Sequence, residues 1–283
     1  MVNGLYNGLD NGLQKGEFNG QRNGLLNGMF ENETVIKKEV IQNGLQLYLD
    51  FSNPRCYNYG QGEVGNPVYN LIKGGGKNLS VQNLTGRVVA NAPYVDYVPI
   101  AHWNNYNLNG INQSYLTSPN NTDFDLGLNG LTIQMWVKNV ATNGSYSIYS
   151  NKALAGSVTG RWAFVFKDTL ALGFYFQSSS GFNDMISTNN VLVLNKWQYI
   201  TVVLNRTTGV KLYVDNVEVG SLNINTSGEN LTVNRPFHIG LHSDNLVSSG
   251  ARFEMNYYTH YNRALSIDEL TYNYNTTKQF MKV

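Results

Sequence analysis

Side chains that attack, ionise or ligate are present in this chain, but their spacing excludes most reactions. Glycoside hydrolysis needs two carboxyl groups on one face, one as acid and one as nucleophile or base. Asp215 and Glu218 come nearest to such a pair. Their spacing of three puts them on opposite faces of a strand, and Asp215 falls in an Asp-Asn turn. The histidines at 102, 238, 242 and 260 are scattered. His238 and His242 approach each other near a strand end, yet surface histidines are the simpler reading. No Gly-x-Ser-x-Gly elbow presents a serine nucleophile. Gly74-Gly75-Gly76-Lys77 lacks the strand–loop–helix setting of a phosphate loop and reads as a flexible turn. The single cysteine, Cys56, excludes an internal disulfide and a cysteine zinc site. These residues describe a protein that is not an enzyme.

What remains is recognition by aromatic rings. Trp162, Phe164 and Phe166 alternate onto one face, as do Phe174 and Phe176, while Tyr175 points the other way. Most of these rings belong to a core. A sugar site needs an exposed ring beside amide and carboxylate groups, and Tyr175, Asn183 and Asp184, with Trp162, supply that set on a sheet face or its rim loops.

The elements that must carry these residues are strands. Trp197–Gly220 is the organising stretch. Trp197, Tyr199, Thr201 and Val203 alternate with Gln198, Ile200, Val202 and Leu204, and both faces are largely apolar, so this strand is central and covered on both sides. Asn205 to Gly209 closes a hairpin, Val210 to Val214 returns, and Asp215-Asn216 makes a second tight turn before Val217 to Val219. Further short strands are expected at Gly44–Asp50, Asn78–Asn83, Gly86–Ala90, Ser114–Thr117, Leu131–Lys138, Tyr146–Ser150, Arg161–Phe166, Leu170–Phe176, Phe237–Gly240 and Phe253–Tyr261. Asn53 to Gly76 and His102 to Asn112 read as loops. The one helix signal is Ser266-Ile-Asp-Glu269, a capping box opening a short helix to about Asn273. The fold class is all-β, an antiparallel sandwich of jelly-roll type with a short C-terminal helix.

Residues 1–30 differ from the rest. Asn-Gly recurs with a period of four at Asn3-Gly4, Asn7-Gly8, Asn11-Gly12, Asn19-Gly20, Asn23-Gly24 and Asn27-Gly28, and leucine follows at Leu5, Leu9, Leu13 and Leu25. Seven glycines would cost a helix about 1 kcal/mol each relative to alanine. Two residues between successive Asn-Gly pairs are too few for stacked hairpins. The stretch reads either as a flexible low-complexity tail or, the sharper reading, as an extended arm that orders only against copies of itself or a partner, for assembly or docking. Residues 31–42 form a charged linker, and 43–283 the domain. Charged residues are 14% of the chain and the net charge is +1, so no basic face recommends a nucleic-acid partner. No apolar run approaches a membrane span or a cleaved secretion signal.

In order along the chain, four segments resemble the concanavalin A-like lectin/glucanase superfamily in its laminin-G-like jelly-roll form. They are Leu131-Thr-Ile-Gln-Met-Trp136-Val-Lys138; Lys196-Trp197 onward through Val210-Lys-Leu-Tyr-Val-Asp-Asn216, where Asn216 replaces the usual glycine; Phe237-His-Ile-Gly240; and Tyr261-Asn-Arg-Ala-Leu-Ser266 with Asp268-Glu269. The resemblance spans roughly residues 40–283. The closely spaced carboxylates of the family's glucanase branch are missing here. The resemblance implies no cofactor beyond the calcium that some laminin-G-like domains hold, and no acidic cluster matches such a loop. The tail Asn273-Tyr-Asn275-Thr-Thr-Lys278 is similar to tails of such domains in phage and virus structural proteins. With the repeat arm and 41 asparagines, that implies a homo-oligomeric virion-surface component whose partners are other virion proteins. The alternative it implies is an extracellular module binding host glycans.

Overall fold

The computed structural model describes residues 39–53, 55–56, 67–72, 77–82, 101–104, 115–120, 122–140, 146–152, 159–240, 252–279 and 281. The arm of residues 1–30 and the strand expected at Gly86–Ala90 lie outside them.

The described strands form two antiparallel sheets. The first runs β1 (Leu45–Asp50), β15 (Arg252–Tyr261), β6 (Leu131–Asn139), β11 (Trp197–Asn205), β12 (Gly209–Val214), β13 (Val217–Leu222); β4 (Ala101–Asn104) also pairs with β15. The second runs β10 (Gly181–Ile186), β9 (Leu172–Ser178), β8 (Trp162–Lys167), β7 (Tyr146–Lys152), β14 (Phe237–Ile239), β5 (Tyr115–Thr117), β3 (Leu79–Gln82), β2 (Pro67–Val68). One helix, α1 (Ile267–Lys278), is described. The expected β-sandwich with a C-terminal helix is the fold observed.

Alternation builds the core. Leu131, Ile133, Met135 and Val137 of β6 and Ile200, Val202 and Leu204 of β11 face Trp162, Phe164 and Phe166 of β8 and Phe174 and Phe176 of β9. Each such side chain, fully buried, contributes about 1.5–3 kcal/mol of transfer free energy. β11 is central, with β6 on one side and β12 on the other.

Its outer face is covered as well. Trp136, Tyr199, Tyr213, Tyr257 and Tyr261 form a second apolar cluster with Leu265 and Leu270. Trp136 Nε1 donates to Thr277 Oγ1 of α1 at 2.9 Å. Asn273, fully buried, donates to Gln134 Oε1 (2.7 Å) and Tyr261 OH (2.9 Å) and accepts from the Ile41 N–H (2.9 Å). Ser266 and Glu269 make the expected capping box, and Glu269 also takes a two-pronged bond from Arg263 at 2.8 and 2.6 Å.

Several boundaries differ from expectation. α1 continues past Asn273 to Lys278 because Thr276 and Thr277 are buried against the sheet. Val40 is buried, so the end of the expected linker packs with the domain. His102 and Trp103, expected in a loop, belong to β4, since β15 is longer than β1 and leaves an edge for it to pair with. Pro67–Val68, within the stretch read as loop, is the short edge strand β2.

The tight turns follow the sequence. Asp215 and Asn216 both have positive φ, 49° and 67°, the conformation a two-residue hairpin turn requires. Gly209 has φ +107°, and a Cβ there would lie 1.9 Å from Leu222 O; Gly228 has φ +87° with open space around it. Gly228→Ala therefore carries only the left-handed penalty of about 1–2 kcal/mol. Gly209→Ala adds a backbone clash and is expected to cost about twice as much. Thermal unfolding of the two variants checks this, and equal losses would refute the packing argument.

Candidate functional site

On the outward side of the second sheet, the edge strand β10 exposes an aromatic ring, Phe182, beside the half-buried Tyr175 of β9. Ser179-Ser180 joins β9 to β10 in a two-residue hairpin. Period two then sets the rows: Arg161, Gln177 and Phe182 lie across one line, and Ala163, Tyr175 and Asp184 across the next. Phe182 is 54% exposed. Its ring stacks on Tyr175 with centroids 5.7 Å apart and planes 17° from parallel. The Arg161 guanidinium sits 5.2 Å from the Phe182 centroid and donates to Gln177 Oε1 at 3.2 Å. The surface thus offers an aromatic pair bordered by a guanidinium and an exposed carboxylate, with the Gln177 amide buried and bonded to Arg161 and Ser178.

The hairpin is held from behind. The Ser179 N–H donates to Glu229 Oε2 at 2.7 Å. Arg206, itself buried, donates to the carbonyls of Glu229 (2.5 Å), Thr226 (2.7 Å), Gly127 and Asn129 (3.5 Å each). One guanidinium from the turn of the β11–β12 hairpin therefore fixes the loop that grips the β9–β10 turn.

Of the four residues expected to bind sugar, the structure brings two together: Tyr175 and Asp184 are direct cross-strand neighbours. Asn183 and Asp184 lie on the edge strand β10, not on a rim loop. Asn183 faces the inner side, where its Nδ2 donates to Ser178 Oγ (3.0 Å) and Gly181 O (3.1 Å). Trp162 is a correction: it has no exposure and stacks in the core on Phe174 (6.2 Å), so it offers no platform. Sequence reasoning missed Phe182 and Arg161. The signal was available, because Phe182 and Asp184 share a face as soon as Gly181 is read as opening a strand.

Other candidates carry less. Burial pushes the Cys56 thiol up to about 12, which leaves it protonated and unreactive. His238 is buried with its ring edge-on to Tyr115 at 5.1 Å; His242 lies outside the described residues. Among the described residues no three His, Cys, Asp or Glu side chains gather as a metal site, and no helix is long and apolar enough to cross a membrane.

The family model of the concanavalin A-like lectin/glucanases superfamily matches residues 109–271. The chain belongs to this superfamily. No curated protein sequence matches it. Among solved structures it is similar to the binding domain of Paraclostridial Mosquitocidal Protein 1 (TM-score 0.56, 16% identity), covering 83% of this chain and 52% of that one. It is similar to the binding domain of botulinum neurotoxin DC solved in complex with SialylT (0.53, 10%; 83% and 52%). It is also similar to the Trypanosoma rangeli sialidase (0.55, 12%; 84% and 33%). At these identities the likeness is one of fold, and this chain spans about half of the toxin binding domains and a third of the sialidase.

The division between platform and core is open to test. Phe182→Ala is expected to change stability by less than about 1 kcal/mol, and Trp162→Ala to cost about 3–5 kcal/mol, both read by denaturant unfolding. A large loss for Phe182→Ala would place that ring among the structural ones.

Proposed function

We propose that this chain is a non-enzymatic, lectin-like module that binds carbohydrate on the outward side of β8–β10. The observation that carries the reading is the exposed Phe182 ring stacked on Tyr175, with Asp184, Gln177 and Arg161 in the adjoining rows. A pyranose has an apolar face that packs on an aromatic ring and a rim of hydroxyls that pair with carboxylate, amide and guanidinium groups. Membership of a lectin-bearing superfamily supports the reading, as does a likeness to a toxin binding domain crystallised with SialylT. A glycan array probed with the full chain tests it. Phe182→Ala should lower affinity about 30-fold, the effect of losing an anchor worth about 2 kcal/mol, and Asp184→Asn should weaken or shift specificity. Absence of binding to any glycan, or binding indifferent to Phe182, would overturn it.

A second reading concerns delivery of the domain. The period-four Asn-Gly repeat favours an arm that assembles or docks it, and we assign the chain to a virion surface, with other virion proteins and further copies of itself as partners. Light scattering on size-exclusion peaks should give a defined oligomer for the full chain and a monomer for residues 38–283. Two monomers would remove the repeat as a self-assembly element.

A further inference from the structure

The interior of the sandwich holds charges that neither recognition nor assembly uses. Lys152, the last residue of β7, lies in register between Trp162 and Phe237, and its side chain has no exposure. Its Nζ is 2.5 Å from Asp125 Oδ1, in direct hydrogen-bond contact. Asp125 sits on the loop between β5 and β6, and its Oδ1 also accepts the Val233 N–H at 3.0 Å. Two residues earlier, Asp123 is fully buried; it pairs with Lys77 and accepts the Asn120 N–H at 3.1 Å. Phe124, between the two aspartates, packs against Phe237 (4.9 Å) and His260 (5.4 Å). Burial holds the His260 imidazole down to about 3, so it is neutral.

An ion pair in such a setting is costly, because both charges leave water. Burial also lowers the basicity of Lys152, with Asp125 opposing the shift. A desolvated amine held against a carboxyl is a nucleophile in near-attack position. We propose that Lys152 and Asp125 condense into an intramolecular isopeptide bond. A proton passes from the ammonium to the Asp125 carboxylate, which leaves a neutral amine and a neutral acid. The Nζ lone pair attacks Cγ, and the charge developing on Oδ1 is met by the Val233 N–H. The nitrogen gives up a proton to the other oxygen, which departs as water. One N–C bond forms, one C–O bond breaks, and nothing is oxidised or reduced.

The bond joins the β5–β6 loop to the end of β7 across 27 residues of sequence and removes two charges from the core. Lys77 is the poorer nucleophile of the two lysines: its side chain is 55% exposed, and a hydrated ammonium does not attack. The inference is independent of the glycan reading.

Intact mass spectrometry of the full chain, followed by a peptide map, is the test. The expected mass is that of the linear sequence less one water, with a branched peptide joining Lys152 to Asp125 and no tryptic cleavage after Lys152. Lys152→Gln should restore the linear mass. Asp125→Asn should lose ammonia where the natural chain loses water, which identifies the electrophile. A linear intact mass, cleavage after Lys152 in the unfolded protein, or a water loss mapped to another residue would overturn the proposal. The natural chain decides the matter even where a variant fails to fold.

Discussion

The structure depends on the first sheet being covered on both faces. A strand that meets the second sheet on one side and α1 on the other has no face for water, so nearly every residue of β6 and β11 is buried. Asn273 makes the cover specific. Its amide joins the helix to β6 through Gln134, to β15 through Tyr261 and to the segment before β1 through Ile41. A buried amide satisfied from three elements fixes the position of the helix, and a residue that left one of those groups unpaired would lose the desolvation energy of that group. Beneath it, burial pushes the hydroxyls of Tyr199, Tyr257 and Tyr261 well above their ordinary range, so this layer stays uncharged. The helix therefore covers that face of β6 and β11.

On the second sheet the accessible ground is its β10 edge. Ile148, Ala163 and Val165, on the outward side further in, are fully buried. Among the described residues of β8–β10, the outward rows become accessible toward Phe182 and Asp184. The position of those side chains is set from the far side of the molecule: Arg206 holds the carbonyls of Thr226 and Glu229, and the Glu229 carboxylate holds the Ser179 amide. Backbone carbonyls gathered around one buried cation form a rigid support, because the guanidinium presents its donors in a fixed plane.

The sandwich, its central strand and the capping box were legible in the sequence because each depends on local periodicity or local hydrogen bonding. Trp197–Leu204 alternates between two apolar faces, and that alone implies a covered strand. Asp215-Asn216 declares its turn, and Ser266 with Glu269 declares its helix start. The helix end was not legible, since Thr276 and Thr277 owe their helical state to contact with Trp136 and its neighbours. β4 was not legible either, because an edge pairing with β15 leaves no periodic trace in Ala101–Asn104. The site was half legible. Tyr175 and Asp184 are cross-strand neighbours, which alternation suggests, but Asn183 faces inward by the same alternation, and Trp162 is a core ring by its pairing with Phe176 and its stacking on Phe174. The aspartates of the interior, spaced by two, escaped notice because their meaning lies in Lys152 and Val233, far away in the chain.

An exposed ring on an edge strand is a hazard that needs a reason. Unpaired backbone groups beside apolar side chains invite pairing with another chain. Here the edge is defended. Met185 of β10 packs at Gly220 of β13, so the margins of the two sheets close on each other. Asp184 puts a carboxylate beside Tyr175, and Arg161 lies over the Phe182 ring. A fold concerned only with stability would place a polar residue at 182, where burial gains little and solubility suffers. The phenylalanine there, stacked on a second ring and bordered by hydrogen-bonding groups of both charges, is the feature on which the proposed contact with a partly apolar, hydroxyl-rich ligand rests.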